Sequence, residues 1–337
     1  MPRKAPAFWQ SRSLIALALL PLSGLFALLS GLRRLLFRAG VLKAVRVPVP
    51  VVVVGNIAVG GSGKTPVVEW LVRILREAGF RPGIISRGYG GSVEGVAVVP
   101  ENGDPASFGD EPVLLARLAR CPVAVGADRP EAARALLRAH PQCDVIVSDD
   151  GLQHYPLKRD LEVAVVDERM LGNGWLLPAG PLREPVGRLD SVDLILAHGA
   201  LSDLLVRRLQ RQVVFAMGLE GTEFVSLRDP RERRSAEAFR GRRVHAVAGI
   251  GRPERFFAQL AAMGLDVVGH PFPDHHRFAP ADLDFAPGEA KILTSKDAVK
   301  CASFAPADTW EFPVTARIAA GAAERILEKL THGRQTA

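Results

Sequence analysis

The chain has 337 residues, 48% hydrophobic and 23% charged, a balance that supports a packed core and excludes a disordered protein. Its formal net charge of +7 favours an anionic partner: nucleic acid, a membrane face or a phosphorylated substrate. Cys121, Cys143 and Cys301 are widely spaced and form no C-x-x-C pair, so neither a zinc site nor a disulfide framework is indicated, and a reducing compartment is expected.

The first element is apolar. Residues 14–31 read LIALALLPLSGLFALLSG, and Arg33, Arg34, Arg38, Lys43 and Arg46 follow. Several readings compete. A signal peptide would use the basic MPRK start, but no small-residue cleavage site follows Ser30. A transmembrane span needs about 20 apolar residues; this run is shorter and carries Pro21 and Gly24. An interfacial helix would set its leucines among acyl chains and its arginines against anionic headgroups. An amphipathic helix packed on the protein body is the plain structural alternative. The heavier basic flank is C-terminal, so either membrane reading leaves the rest of the chain cytoplasmic.

After Pro48 and Pro50 the pattern becomes strand, turn and helix, repeated. VVVV at 51–54 has no polar alternation and reads as a strand buried on both faces. Residues 65–78 form the next helix, with Val68, Leu71, Val72 and Leu75 at helical spacing and Gly79 as its stop. Further strands are predicted at 83–86, 96–99, 123–126, 145–148, 163–167 and 194–197, with helices at 111–119 and 130–139. This alternation implies a mostly parallel α/β sheet with helices on both faces. A second strand–glycine turn–helix–strand unit starts near Arg242 and continues through 291–294 and a helix around 297–300. The polar stretch 218–241 reads as a linker, a surface hairpin or both. The resulting division is an N-terminal helical segment (1–47), a nucleotide-binding domain (48–217), a linker (218–241) and a smaller α/β domain (242–330). A cleft between two such modules is a common ligand site.

Residues 58–65, AVGGSGKT, fit the phosphate-loop pattern G-x-x-x-x-G-K-[ST] with Ala58 in the place of the first glycine. Backbone N–H groups across Ala58, Val59, Gly60, Gly61, Ser62 and Gly63 would wrap phosphate oxygens, aided by the start of the following helix. Lys64 would reach the β- and γ-phosphates, and the Thr65 hydroxyl would ligate Mg²⁺. The second half of such a site is DVIVSDDG at 144–151, an apolar strand ending in Asp149 and Asp150. One of these acids would serve Mg²⁺ and the other would position the nucleophile. Exclusions narrow the class. Lys296 is directly followed by Asp297, unlike the guanine-reading N-K-x-D. Val59 stands where partner-switching ATPases carry an extra lysine. A kinase or a simple nucleotide hydrolase remains. A kinase needs a base for its acceptor hydroxyl. Asp110 in FGDEP lies before a predicted helix, where capping is the plain alternative. His275 and His276 in PFPDHHRF lie in the second module. An Asp–His dyad across the modules would make such a base. No other His/Cys/Asp cluster has convincing ligand spacing.

The segments VGNIAVGGSGKTP, SRGYGG, GDEP, GADR, SDDGLQH, LPAGPLRE, FPDHH and TSKDAVK occur in that order. Together they resemble the tetraacyldisaccharide 4′-kinase family of lipid A biosynthesis, over residues 51–300 plus the apolar N-terminal segment. Ser295 departs from the acidic residue expected before Lys296. The resemblance implies a P-loop NTPase fold of two Rossmann-like three-layer modules joined by a hinge, with a membrane-associated N-terminal helix. It implies transfer of the γ-phosphate of ATP, with Mg²⁺, to the 4′-hydroxyl of a tetraacyldisaccharide 1-phosphate, forming lipid IVA. Asp110 and His275 match the family's dyad; His276 does not fit the motif. Asp149 and Asp150 match its catalytic and metal-site acids, Glu184 would also face the metal, and Arg87, Arg129, His154 and Arg183 match polar positions expected at the substrate. The implied partners are the lipid substrate and the membrane surface, at the cytoplasmic face of the bacterial inner membrane, with neither nucleic acid nor an obligate protein partner. The alternatives are a kinase of a soluble sugar or metabolite, and a P-loop assembly ATPase.

Overall fold

The valine run at 51–54 forms β1 (Val51–Gly55), buried along its whole length at the centre of a nine-stranded sheet. The computed structural model describes residues 6–335; the basic MPRK start lies outside them. Along the chain follow β2 (Pro82–Ser86), β3 (Val96–Val98), β4 (Val123–Gly126), β5 (Val145–Asp149), β6 (Leu161–Val166), β7 (Leu194–His198) and β8 (Val214–Glu220). A six-stranded second sheet contains β9 (Glu223–Ser226), β10 (Arg233–Ser235), β11 (Arg243–Ala248), β12 (Asp266–Pro271), β13 (Ala290–Thr294) and β14 (Thr309–Phe312). β15 (Thr315–Ile318) then returns to the first sheet.

The helices are α1 (Leu14–Ala18), α2 (Leu20–Arg38), α3 (Lys64–Glu77), α4 (Pro105–Phe108), α5 (Asp110–Ala119), α6 (Arg129–Ala139), α7 (Asp203–Leu209), α8 (Pro253–Ala262), α9 (Ser295–Cys301) and α10 (Ala322–Gln335). α3 buries Val68, Leu71, Val72 and Leu75 against the first sheet. It stops where Gly79 takes a φ of +85°, a conformation glycine adopts without a Cβ clash.

The first sheet runs in the order β15-β8-β7-β6-β1-β5-β2-β4-β3 and is parallel except for its edge strands β15 and β3. From β1 the chain builds one flank through β2, β4 and β5, then the other through β6, β7 and β8. The strand order therefore reverses beside β1. Crevices at the carboxyl ends of strands at such a reversal are where open α/β sheets hold ligands.

Separate apolar cores cover the two faces of this sheet, around Leu71, Leu75 and Val147 on one side and Ile57, Ile146 and Leu189 on the other. The second sheet has its own core around Phe224, Leu260 and Phe312.

Two observations alter the domain division read from sequence. The segment 218–241 forms the surface hairpin that its composition also allowed and not a plain linker: β9 and β10 pair antiparallel, with β10 at the edge of the second sheet and β9 beside β14. The second module also ends earlier than residue 330: β15 pairs with β8, and Ala322, Ile326 and Leu330 of α10 are buried in the first module's core. The chain thus crosses between modules twice, after β8 and after β14. At the crossing Gly221 leaves no room for a side chain, since a Cβ there would lie 2.6 Å from the Phe312 ring and 2.7 Å from the Pro313 carbonyl oxygen.

The helical segment is interrupted at Leu19, just ahead of Pro21, and Gly24 causes no further break. Pro21 lies in the first turn of α2, where its missing N–H costs no hydrogen bond, and α2 continues through Gly24. α2 is anchored on the first module by its polar side. The Ser23 hydroxyl donates to Leu176 O (2.9 Å) and accepts from Ala179 N (3.0 Å), and Arg34 donates to the Ser191 hydroxyl (2.9 Å). Leu22, Leu25, Leu28, Leu29, Leu32 and Leu35 recur at three- and four-residue steps and are exposed.

Candidate active site

The phosphate loop leaves β1 at the strand reversal. Asn56 closes it by donating to the Ser62 hydroxyl (3.1 Å). Gly60 and Gly63 take φ of +115° and +87°, which only glycine adopts readily. Gly63 caps α3, no side chain caps the helix start, and Lys64 is its first residue, so the free N–H groups of the first turn form an anion site.

The beginning of the loop differs from the sequence expectation. The Val59 amide donates to Pro181 O (2.9 Å), and Ala58 bridges to Leu182. The wrapping amides therefore belong to the 60–63 part, and Val59 is occupied. This bridge also accounts for Ala58. Its φ is not positive, so the position makes no demand for glycine.

Asp149 and Asp150 close the opposite wall. Asp149 is buried and accepts from the Ser86 hydroxyl (3.1 Å). Burial and the nearby Glu111 and Asp150 charges push its carboxyl up to about 7, against Lys64 and Arg129. Burial also opposes ionisation of Asp150, but Lys64 (3.4 Å) and Arg183 (2.8 Å) outweigh it and hold that carboxyl at about 2. Adjacent acids are thus split into one poised near neutrality and one firmly ionised.

The polar positions expected at the substrate divide. Arg183 pairs with Asp150, and Arg87 is exposed just past β2. Arg129 is 2% exposed and donates to the Asp149 main-chain oxygen (2.8 Å), so it braces the acid from inside the fold. Burial lowers its pKa to about 10. Among the described residues the His154 Nε2 is buried without a hydrogen-bond partner, and burial with Arg129, Arg159 and Arg33 lowers that imidazole to about 4.

Glu184 is engaged through both oxygens. It accepts from the Tyr155 hydroxyl and from Gln153 Nε2 (2.8 Å), and Gln153 also donates to Asn56 O (3.0 Å). In this structure Glu184 braces the phosphate loop. No group of three or more His, Cys, Asp or Glu is gathered as a metal site among the described residues. The hard oxygen donors of Thr65, Asp149 and Asp150 nevertheless fit Mg²⁺, which is commonly held by one or two carboxylates together with substrate phosphates.

The second module delivers His275 in a turn with φ of 57°. Its Nδ1 lies 3.2 and 3.1 Å from the two carboxylate oxygens of Asp110. Asp110 is not the cap of its helix. Gly109, at φ +90°, takes that place, and the Asp110 carboxylate accepts from the Glu111 amide (3.0 Å) as well as from the imidazole. The hydrogen bond to Asp110 raises the His275 pKa, against burial and Lys296. Tyr89 packs its ring edge-on to His275, 5.2 Å between centroids. His276 turns away to Asp282 (2.9 Å) and the rings of Phe272 and Phe278.

Sequence reasoning did not place Lys296 or Glu111 at the site. Lys296 Nζ lies 3.2 Å from Glu111 and 3.2 Å from His275 Nε2. Glu111 directly follows Asp110 in GDEP, and Lys296 lies in TSKDAVK, where the sequence alone assigns it no role at the base. Further contacts join the modules: Arg117 with Glu311 (2.7 Å), Arg255 with Asp167 (3.0 Å) and Arg252 with Arg169 O (2.8 Å).

Residues 15–331 match the family model described as Tetraacyldisaccharide-1-P 4′-kinase (LpxK), and the chain belongs to that family. It is 76% identical over 337 residues to the tetraacyldisaccharide 4′-kinase of Aromatoleum aromaticum, covering 100% of both chains. It is 69% identical to that of an Azoarcus species, over 99% of this chain and 97% of the relative. Among solved structures it is similar to the "apo" form of LpxK from Aquifex aeolicus in complex with ATP. That likeness has a TM-score of 0.77 and 29% identity, covering 95% of this chain and 99% of the other.

The raised pKa of Asp149 has a stability consequence. The folded state holds a proton there up to about pH 7, whereas an unfolded aspartate releases it near 4, so this group destabilises the fold as pH rises through that window. Without nucleotide or divalent cation, Asp149→Asn should melt above the parent at pH 8, and the gain should vanish as pH falls toward 4. Thermal melts across that range check this.

Proposed function

We propose that the chain transfers the γ-phosphate of ATP to the 4′-hydroxyl of a tetraacyldisaccharide 1-phosphate, giving lipid IVA and ADP, on the cytoplasmic face of the inner membrane. The observation that carries the reading is the Asp110–His275 pair, assembled across two modules beside a phosphate loop. A hydrolase has no need of a base delivered by a second module. A kinase does, because its acceptor enters between the modules.

In this reading the 60–63 amides and Lys64 hold the phosphate chain. Thr65 with Asp149 and Asp150 would hold Mg²⁺, which when bound neutralises charge on the β- and γ-phosphates. Asp110 orients His275, whose Nε2 takes the proton of the 4′-hydroxyl as that oxygen attacks the γ-phosphorus. Arg183 and Arg87 at the mouth suit an anionic acceptor through planar, fork-like donors. The inter-module ion pairs keep water away from the phosphate during transfer.

The exposed leucine stripe of α2 is assigned to the membrane surface. Its polar anchors to the first module favour a helix lying in the interface over an independent span. A soluble-sugar kinase has no use for such a stripe.

Incubation with γ-labelled ATP, Mg²⁺ and the acceptor in mixed micelles should label the lipid, and Lys64→Ala should cut turnover by about 10²–10³-fold. Labelled inorganic phosphate without labelled lipid would reject the kinase reading.

Asp110→Ala and His275→Ala should each lower kcat by about 10²–10⁴-fold, and the double variant should lose less than the product of the two. Fully multiplicative losses would mean that the two side chains act separately.

Replacing Leu25, Leu28 and Leu32 by glutamate should abolish co-sedimentation with phosphatidylglycerol-containing vesicles and raise KM for the lipid. Unchanged sedimentation would place the anchor elsewhere.

A further inference from the structure

We propose that Lys296 is a positioning residue for the acceptor base: it holds His275 in the tautomer whose Nε2 carries the lone pair that the incoming hydroxyl will engage. The inference rests on the reading of His275 as the base. Lys296 Nζ lies 3.2 Å from His275 Nε2. An ammonium only donates, so that nitrogen must accept. Nδ1, between two carboxylate oxygens that only accept, must then carry the ring proton. Both ring nitrogens are fixed, from opposite sides and by opposite charges.

The lysine is itself held. Besides His275 it meets Glu111 (3.2 Å), Asp274 (3.3 Å) and Asp110 (3.9 Å). Burial works against its charge, but Glu111, Asp110 and Asp274 outweigh it and keep the pKa above the ordinary lysine value. Its helix is pinned by Asp297, which accepts from the Thr294 hydroxyl (2.6 Å) and the Gly249 amide (2.9 Å) and pairs with Lys300 (2.7 Å). The groups facing the imidazole are therefore Asp110 from α5, Asp274 from its own turn, Lys296 from α9 and the neutral Tyr89 ring.

Asp110 alone would make His275 too willing to hold a proton before the acceptor arrives. Lys296 opposes that, because an N–H on Nε2 would point at an ammonium. When the hydroxyl binds, it takes the place of Lys296 at Nε2, and the carboxylates retain the displaced ammonium nearby. The O–H bond then breaks toward Nε2, the oxygen–phosphorus bond forms, and the electron pair of the broken phosphoanhydride bond leaves with ADP. The ammonium beside the new imidazolium favours release of the proton after transfer.

The test uses ¹⁵N-histidine-labelled full-length protein, with kcat/KM measured against pH. Removing a cation favours the protonated ring. Lys296→Met and Lys296→Gln should therefore each raise the His275 titration point and the acid limb of kcat/KM by about one unit. Lys296→Arg, which keeps the charge, should leave both near the parent values. The parent spectrum should show Nδ1 protonated and Nε2 bare. A titration point and acid limb unmoved in Met and Gln variants that melt like the parent, with His275→Ala inactive, would overturn this inference alone. Full activity of His275→Ala would overturn the base assignment beneath it.

Discussion

Val54 of β1 pairs in parallel with Asp149 of β5, so the phosphate loop and the two acids leave the sheet at the same height. The rest of the site is built on that register. Successive side chains in a strand face opposite sides, and a slip of one residue would turn Asp149 from Ser86 toward the apolar face and lift Asp150 from Lys64. The register is protected by burial. Val51, Val52, Val53 and Val54 pack into both cores, and β5 is covered along its length. An apolar strand without alternation is thus what aligns a loop of amides with a pair of charges.

Around that alignment the fold places two non-glycine residues in the left-handed region, Asp150 at φ 48° and His275 at φ 57°. Such backbone costs about 1–2 kcal/mol per residue and persists only where the surroundings impose it. Asp150 is held by Lys64 and Arg183, and His275 by Asp110 and Lys296. The same ion pairs that tune the charges therefore pin the strained turns. One module contributes one strained residue and the other the second, and in the proposed reading the reacting groups meet between them.

The first module was legible because its signals are local. Valine runs, a glycine loop and a strand ending in acids each declare themselves within a few residues, and β4 (Val123–Gly126) falls at its predicted bounds. Long-range pairings were not legible. Nothing near Ala322, Ile326 and Leu330 says that α10 belongs to the first core, since its apolar spacing fits either module. The polar composition around Arg233 fits a linker as well as the surface hairpin that forms, because an edge strand needs few apolar residues when one side faces water. Val59 matched a phosphate-binding pattern, but its amide had a partner more than a hundred residues away in Pro181. At the candidate site the acids could be found from a strand end, whereas the split between Asp149 and Asp150 depends on Lys64, Arg183 and Glu111 arriving from other elements.

Charge distribution across the cleft also constrains how the modules come together. Asp110 and Glu111 on α5 present two carboxylates where Asp274 approaches from the second module. Without a cation between them these like charges would repel closure. Lys296 supplies that cation, and Arg255 of the second module pairs with Asp167 of the first. One partner of each contact, Lys296 or Asp167, is largely shielded from water and the other is half-buried, so their attraction is screened less than that of fully exposed pairs. The contacts that draw the modules together are consequently the ones that set the state of the histidine. In the proposed reading the contact between the modules and the readiness of the base follow from one set of charges, which would tie proton acceptance to the arrangement that keeps water out.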